Sequence, residues 1–166
     1  MFTYCAALAR GMQFCEPTAP SVREDRVGAP HRVLVIEDDT ALREMLCEAL
    51  AGEGYRVLPS DHPVAPLDVQ QLRPSLVVLD LMLGGEPGGY GWLEAVRAWP
   101  WTARLPVLVC SGYLAPGAPA AHRVLALADA TVPKPFAVDE LLAAVAGCME
   151  TAAALRRGDV MRRSAC

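Results

Sequence analysis

Short unbroken apolar runs alternate along the chain with longer stretches in which apolar residues recur every three or four positions. The runs are RVLVIE (32–37), YRVL (55–58), LVVLD (76–80), PVLVC (106–110) and ATVP (130–133). Such short, Val- and Leu-rich runs are the pattern of strands covered on both faces. The first helical stretch begins after EDDT, where Asp39 or Thr40 can cap it. It carries Leu42, Met45, Leu46, Ala49 and Leu50 on one side and ends near Gly52 and Gly54. A weaker helix is expected in DHPVAPLDVQQL, with Pro66 in its first turn and Pro74 closing it. WLEAVRAW, APAAHRVLALA and the strongly amphipathic AVDELLAAVAGCM supply the rest. Strand and helix therefore alternate five times, which predicts an α/β domain: a doubly wound five-stranded parallel sheet with helices on both faces.

The pattern occupies residues 31–149. Residues 1–30 have no sustained period, and CEPTAPSVREDRVGAP is rich in Pro and charge, so a flexible arm is expected there. Residues 150–166 form a tail expected to be helical or disordered. Only seventeen residues follow Met149, so the expected protein is a stand-alone domain or a fragment of a longer chain. At 53% hydrophobic and 20% charged the composition is that of a globular protein. The net charge of -4 argues against nonspecific nucleic-acid binding. No apolar run approaches the roughly 20 residues of a membrane span. The six cysteines include no C-x-x-C pair or zinc spacing and read as buried reduced thiols in a cytoplasmic protein. His31, His62 and His122 share no metal spacing. Trp92 is expected in the core, and Trp99 and Trp101 beneath the loop around Pro100.

A doubly wound sheet places its chemistry beyond the carboxyl ends of its strands. Glu37, Asp38 and Asp39 follow the first strand, and Asp80 ends the third. Ser111 follows the fourth and Lys134 the fifth. Clustered carboxylates repel one another, and a bound cation relieves that repulsion; oxygen donors of this kind suit Mg²⁺ or Mn²⁺. A carboxylate held there stays ionised and can act as a nucleophile. Lys134 and Ser111 could then support phosphoryl oxygens, which makes a phosphoryl group on Asp80 the natural product. A flavin-mononucleotide site would need a phosphate-cradling loop where EDDTAL places carboxylates. A phosphatase with its nucleophile on the first strand would need Asp where Glu37 stands.

RVLVIEDD, LVVLDLML, PVLVCSG and VPKPF, in this order, resemble the receiver domain of two-component response regulators, the stand-alone chemotaxis type in particular. The resemblance covers about residues 31–149 and implies a flavodoxin-like sheet in the order 2-1-3-4-5. It implies that Asp80 is the phosphoacceptor. Asp38 would bind the metal directly, Glu37 mostly through water, and Met82 through its backbone carbonyl. Ser111 matches the family's Thr/Ser and Lys134 its lysine, with the Lys134–Pro135 bond often cis. The implied donor is a sensor histidine kinase or a histidine phosphotransfer protein. The output would be an unknown partner protein or onward phosphotransfer, without direct contact to nucleic acid or membrane, by a monomer or weak dimer. Such a protein accepts a phosphoryl group and loses it slowly; it is not a turnover enzyme.

Three departures from the family pattern bear on function. Thr131 stands where the family usually has a switch aromatic. The loop Gly84-Gly85-Glu86-Pro87-Gly88-Gly89 is about one residue longer than usual when Gly89 is aligned with the family glycine. Met82 and Tyr113 are both large where they would flank attacking water, which predicts slow self-hydrolysis. The first two departures leave room for a receiver-shaped interaction module that is never phosphorylated.

Overall fold

A computed structural model of the protein describes residues 30–112 and 119–163. The arm expected over residues 1–30 lies almost wholly outside the described residues, as do Tyr113 and the last residues of the tail. The strands are β1 (Arg32–Ile36), β2 (Arg56–Ser60), β3 (Leu76–Leu79), β4 (Val107–Ser111) and β5 (Ala130–Pro133). The helices are α1 (Thr40–Gly52), α2 (Pro66–Leu72), α3 (Gly88–Ala98), α4 (Pro119–Leu127) and α5 (Val138–Arg163). The strands form one parallel sheet in the expected order β2-β1-β3-β4-β5.

Two cores flank the sheet. Leu34, Ile36, Val77, Leu79, Val107 and Val109 point to one face, where Val69, Trp92, Leu93, Val96 and Val124 meet them. Val33, Val35, Leu76, Val78, Leu108 and Cys110 point to the other, against Leu46, Cys47 and Leu50 of α1 and Leu141 and Val145 of α5. With both faces covered, the strand sequences have no polar alternation to show. Each fully buried Leu or Val contributes on the order of 2 kcal/mol, so the central strands β1, β3 and β4 anchor the fold. Cys47, Cys110 and Cys148 are buried cysteines. Burial pushes the Cys110 thiol up to about 12, so it stays neutral at physiological pH.

The ends of the elements refine the reading. Asp39 caps α1, its Oδ1 accepting from the Leu42 amide at 2.9 Å. Of the two states expected for the tail, helical or disordered, its described part is helical: α5 runs on to Arg163. Trp92 is buried as expected and donates its indole N–H to the Val64 carbonyl. Trp99 and Trp101 are not packed beneath their loop; they are 41% and 74% exposed. Thr102 fills that space, 2% exposed, with its hydroxyl donating to the Val96 carbonyl. The Arg97 guanidinium occupies the remainder, donating to Ala103, Leu105 and Leu127 carbonyls and to Asp129. No helix among the described residues is long and apolar enough to cross a membrane.

Candidate active site at the strand ends

Register brings the polar residues together. Ile36 pairs with Leu79, so Glu37 and Asp80 leave the sheet side by side, and the Asp80 amide donates to the Ile36 carbonyl at 2.9 Å. Ser111 is the last residue of β4, one further than the apolar run suggested, because it still pairs with Pro133 of β5. The first amide past β5, that of Lys134, donates to the Ser111 carbonyl at 3.2 Å. This turns the Lys134 side chain toward the acids, and the Lys134–Pro135 bond that follows is cis.

Lys134 Nζ lies 2.7 Å from Glu37 Oε2 and 2.6 Å from Asp80 Oδ2. Asp80 Oδ1 accepts from the Met82 amide at 3.1 Å, and Glu37 Oε1 accepts from the Asp39 amide at 3.4 Å. Glu37, Asp80 and Ser111 are buried, at 2%, 7% and 0% exposure, so these charges sit at the edge of the core and not in bulk water. Burial pushes Glu37 upward, more than the neighbouring Lys134 ammonium draws it down. Burial also pulls Lys134 downward, but its bonds to Asp80 and Glu37 outweigh this and hold it above its ordinary value. The two directions disagree about how readily the pair stays charged. With Nζ within hydrogen-bond distance of two carboxylates, the ammonium is retained. The upward push on Glu37 comes first from its burial, with the neighbouring Asp80 carboxylate adding to it and Lys134 opposing it.

Carboxylate oxygens of Glu37, Asp38 and Asp80 all lie within 4.8 Å of one another. Three hard oxygen donors so close, against one ammonium, leave excess negative charge and fit a small divalent cation such as Mg²⁺ or Mn²⁺. Met82 follows at the rim, tied to Asp80 through its amide.

The long loop after β3 has a definite form. Leu83 and Glu86 exchange backbone hydrogen bonds at 2.9 and 3.2 Å around Gly84 and Gly85, whose φ angles are 65° and 77°. Two consecutive left-handed residues make a tight primed turn, which favours glycine at both positions. The Gly84 amide donates to Asp38 Oδ2 at 2.9 Å. That contact, and the reach of Arg43 from α1 to the Glu37 and Asp38 carbonyls, escaped the reading of the sequence. The Gly84-Gly85 pair that follows the apolar run ending at Leu83 is the one available signal for the turn. Beyond it, Gly89, the second residue of α3, packs against the Asp80 peptide and donates to the Leu81 carbonyl at 3.1 Å. Thr131 pairs with Val109 in β5 and is half-buried.

The family described as the response regulator receiver domain matches residues 33–146. The chain belongs to the response regulator receiver family. This receiver is 40% identical over 119 residues to response regulator MprA of Mycobacterium sp. (strain KMS), covering 69% of this chain and 48% of MprA. It is 36% identical over 132 residues to the DNA-binding response regulator MtrA of Mycobacterium tuberculosis (strain ATCC 25618 / H37Rv), covering 77% and 52%. The chain thus spans about half the length of the curated relatives it matches. Among solved structures it resembles a response regulator from Chloroflexus aurantiacus J-10-fl, with a TM-score of 0.65 and 30% identity, over 74% of this chain and 99% of that one. The receiver domain of sensor histidine kinase PA1611 from Pseudomonas aeruginosa PAO1 shares the fold, with a TM-score of 0.64 at 21% identity, again over 74% and 99%. That protein holds a magnesium ion in its active site cleft.

Proposed function

We propose that this receiver accepts a phosphoryl group on Asp80 from the phosphohistidine of a sensor histidine kinase or histidine phosphotransfer protein, in a reaction dependent on Mg²⁺ or Mn²⁺. The observation that carries the reading is the placement of Asp80. Its carboxylate lies 2.6 Å from Lys134 Nζ, and its oxygens lie within 4.8 Å of those of Glu37 and Asp38. In the transfer, an Asp80 oxygen bonds to phosphorus while the phosphorus–nitrogen bond of the donor breaks, its electron pair returning to the imidazole. Asp38, Asp80 and the Met82 carbonyl would hold the cation directly, and Glu37 mostly through water. When bound, the cation would neutralise charge on the transferring phosphoryl group. Lys134 would move from Asp80 Oδ2 to a phosphoryl oxygen as a point charge, and the Ser111 hydroxyl would donate to another.

Protein incubated with acetyl phosphate and Mg²⁺ should gain the mass of one phosphoryl group. Chelating the cation should abolish the gain, and so should Asp80→Asn. Labelling that survives either treatment would contradict the assignment; no labelling of the wild type would favour an interaction module that is never phosphorylated.

The added charge would shift an equilibrium between two conformations. Thr131 in place of an aromatic switch residue favours an output that uses another surface or couples more weakly. The net negative charge suits signalling by onward transfer or by a protein partner, by a monomer or weak dimer in the cytoplasm, with no direct contact to nucleic acid or membrane by this domain. The protein would be a phosphoacceptor and not a turnover enzyme. Met82, partly exposed beside Asp80, should obstruct in-line water. Phosphoaspartate should therefore decay slowly, and Met82→Asn should speed its loss; decay of the wild type within seconds would contradict this.

A further inference from the structure

Glu37 and Asp38, the first two of the three acidic residues after β1, sit on a loop whose backbone is gripped by one side chain. Arg43, half-buried on the second turn of α1, reaches back over the cap of its own helix. Its Nη1 donates to the Glu37 carbonyl at 2.6 Å and to the Asp38 carbonyl at 3.1 Å, and its Nη2 to Thr40 Oγ1 at 3.3 Å. Its own amide donates to the Asp39 carbonyl at 2.9 Å. Two consecutive carbonyls turned toward one guanidinium fix the peptide planes of Glu37 and Asp38. The tight turn after β3 grips the same loop through a second contact, the Gly84 amide on Asp38 Oδ2 at 2.9 Å.

We propose that Arg43 is a positioning residue for the cation site. It holds the β1–α1 loop so that Glu37 and Asp38 present their carboxylates to the cleft with Asp80. The inference rests on the reading of that cleft as a divalent-cation site and goes beyond it by assigning a role to a residue that contacts neither cation nor phosphoryl group. Three donated bonds of a planar, rigid fork suit that task better than an ammonium would.

The charge of Arg43 acts in the opposite direction to its geometry, so the sign of the effect separates the two. A cation near the cleft repels Mg²⁺, and losing it by electrostatics alone would tighten Mg²⁺ binding. Losing a positioning contact weakens it. Calorimetric titration of the full chain with Mg²⁺ alone should show Arg43→Gln weakened by about tenfold, the lower end for partners that orient metal ligands. Arg43→Lys, which keeps the charge and can reach one carbonyl, should fall between Gln and wild type. Thermal unfolding without Mg²⁺ checks that both variants are folded; should Arg43→Gln not fold, a smaller weakening relative to wild type is required of Arg43→Lys. Wild-type affinity or tighter binding in the folded variants would overturn the positioning role while leaving the site in place. A wild type whose Mg²⁺ binding is absent, or unaffected by Asp38→Asn, would overturn the reading of the site and this inference with it.

Discussion

Gly89→Ala should destabilise the protein by about 3 kcal/mol, the upper part of the range for forcing atoms into a packed site. A Cβ on Gly89 would lie 2.1 Å from the Asp80 carbonyl oxygen and 2.7 Å from the Leu81 Cα. Both are backbone atoms, so no side-chain rotation can relieve the clash. The first turn of α3 would have to withdraw from the end of β3, stretching the Gly89 to Leu81 hydrogen bond of 3.1 Å. The displaced peptide belongs to the proposed phosphoacceptor, so any folded Gly89→Ala protein should also label poorly from acetyl phosphate. Gly88→Ala and Gly91→Ala are matched controls. A Cβ at Gly88 meets only the Leu83 Cβ, at 3.9 Å, and one at Gly91 meets nothing within 4 Å. Urea unfolding of the three variants decides the matter. A Gly89→Ala midpoint equal to that of the controls would show that the helix does not pack on Asp80 as described.

Lys134→Met should have the second largest effect, with a size that depends on the cation. In its place two carboxylates, Glu37 and Asp80, with side chains 3% and 8% exposed, would face each other uncompensated. Removing one partner of a fully buried pair costs 3–5 kcal/mol; the Lys134 side chain keeps 22% of its exposure, so about 2 kcal/mol is expected here. Mg²⁺ should restore most of that loss, because a divalent ion would take over the compensation. The rise in melting temperature on adding Mg²⁺ should therefore be larger in Lys134→Met than in wild type. The linkage has a definite sign. Lys134 is raised in the folded protein, so its stabilisation is complete below its unfolded pKa of about 10.4 and is lost as pH climbs through the higher folded value. The penalty of Lys134→Met should be full at neutral pH and shrink in alkali, and it should shrink in acid too, where Glu37, pushed upward by burial, takes up a proton and no longer needs the ammonium. A variant as stable as wild type without Mg²⁺ would show that Lys134 does not compensate the two acids.

Much of this was legible in the sequence, for physical reasons that differ by element. The central strands β1, β3 and β4 declare themselves because both faces are buried and, apart from Arg32 and Ser111 at two of their ends, every position is apolar. Asp80 stands out because a charge ending such a run needs a compensating group, and Glu37, Asp38 and Lys134 lie at the ends of the other strands. Ser111 was placed one residue past its strand because a hydroxyl carries no strand signal; pairing with Pro133 of β5 retains it. Cys47 reads as a buried thiol in a helical run, and it packs with Leu46 and Leu50 on the covered side of α1. The tryptophans at positions 99 and 101 misled because bulk apolar character says nothing of what already fills a loop; Thr102 and the Arg97 guanidinium do. Arg43 and Gly84 were invisible because each acts through backbone groups whose directions exist only once the turns have formed.

The central claim is that the new covalent bond forms at Asp80, and it can be located chemically. Protein phosphorylated with acetyl phosphate and Mg²⁺ should be treated with labelled borohydride, which reduces an acyl phosphate to an alcohol and so converts phosphoaspartate to homoserine. Peptide sequencing should then find labelled homoserine at position 80, and none at positions 38 or 39. Label at Asp38 or Asp39, or no label in a protein shown to bind Mg²⁺, would contradict the account.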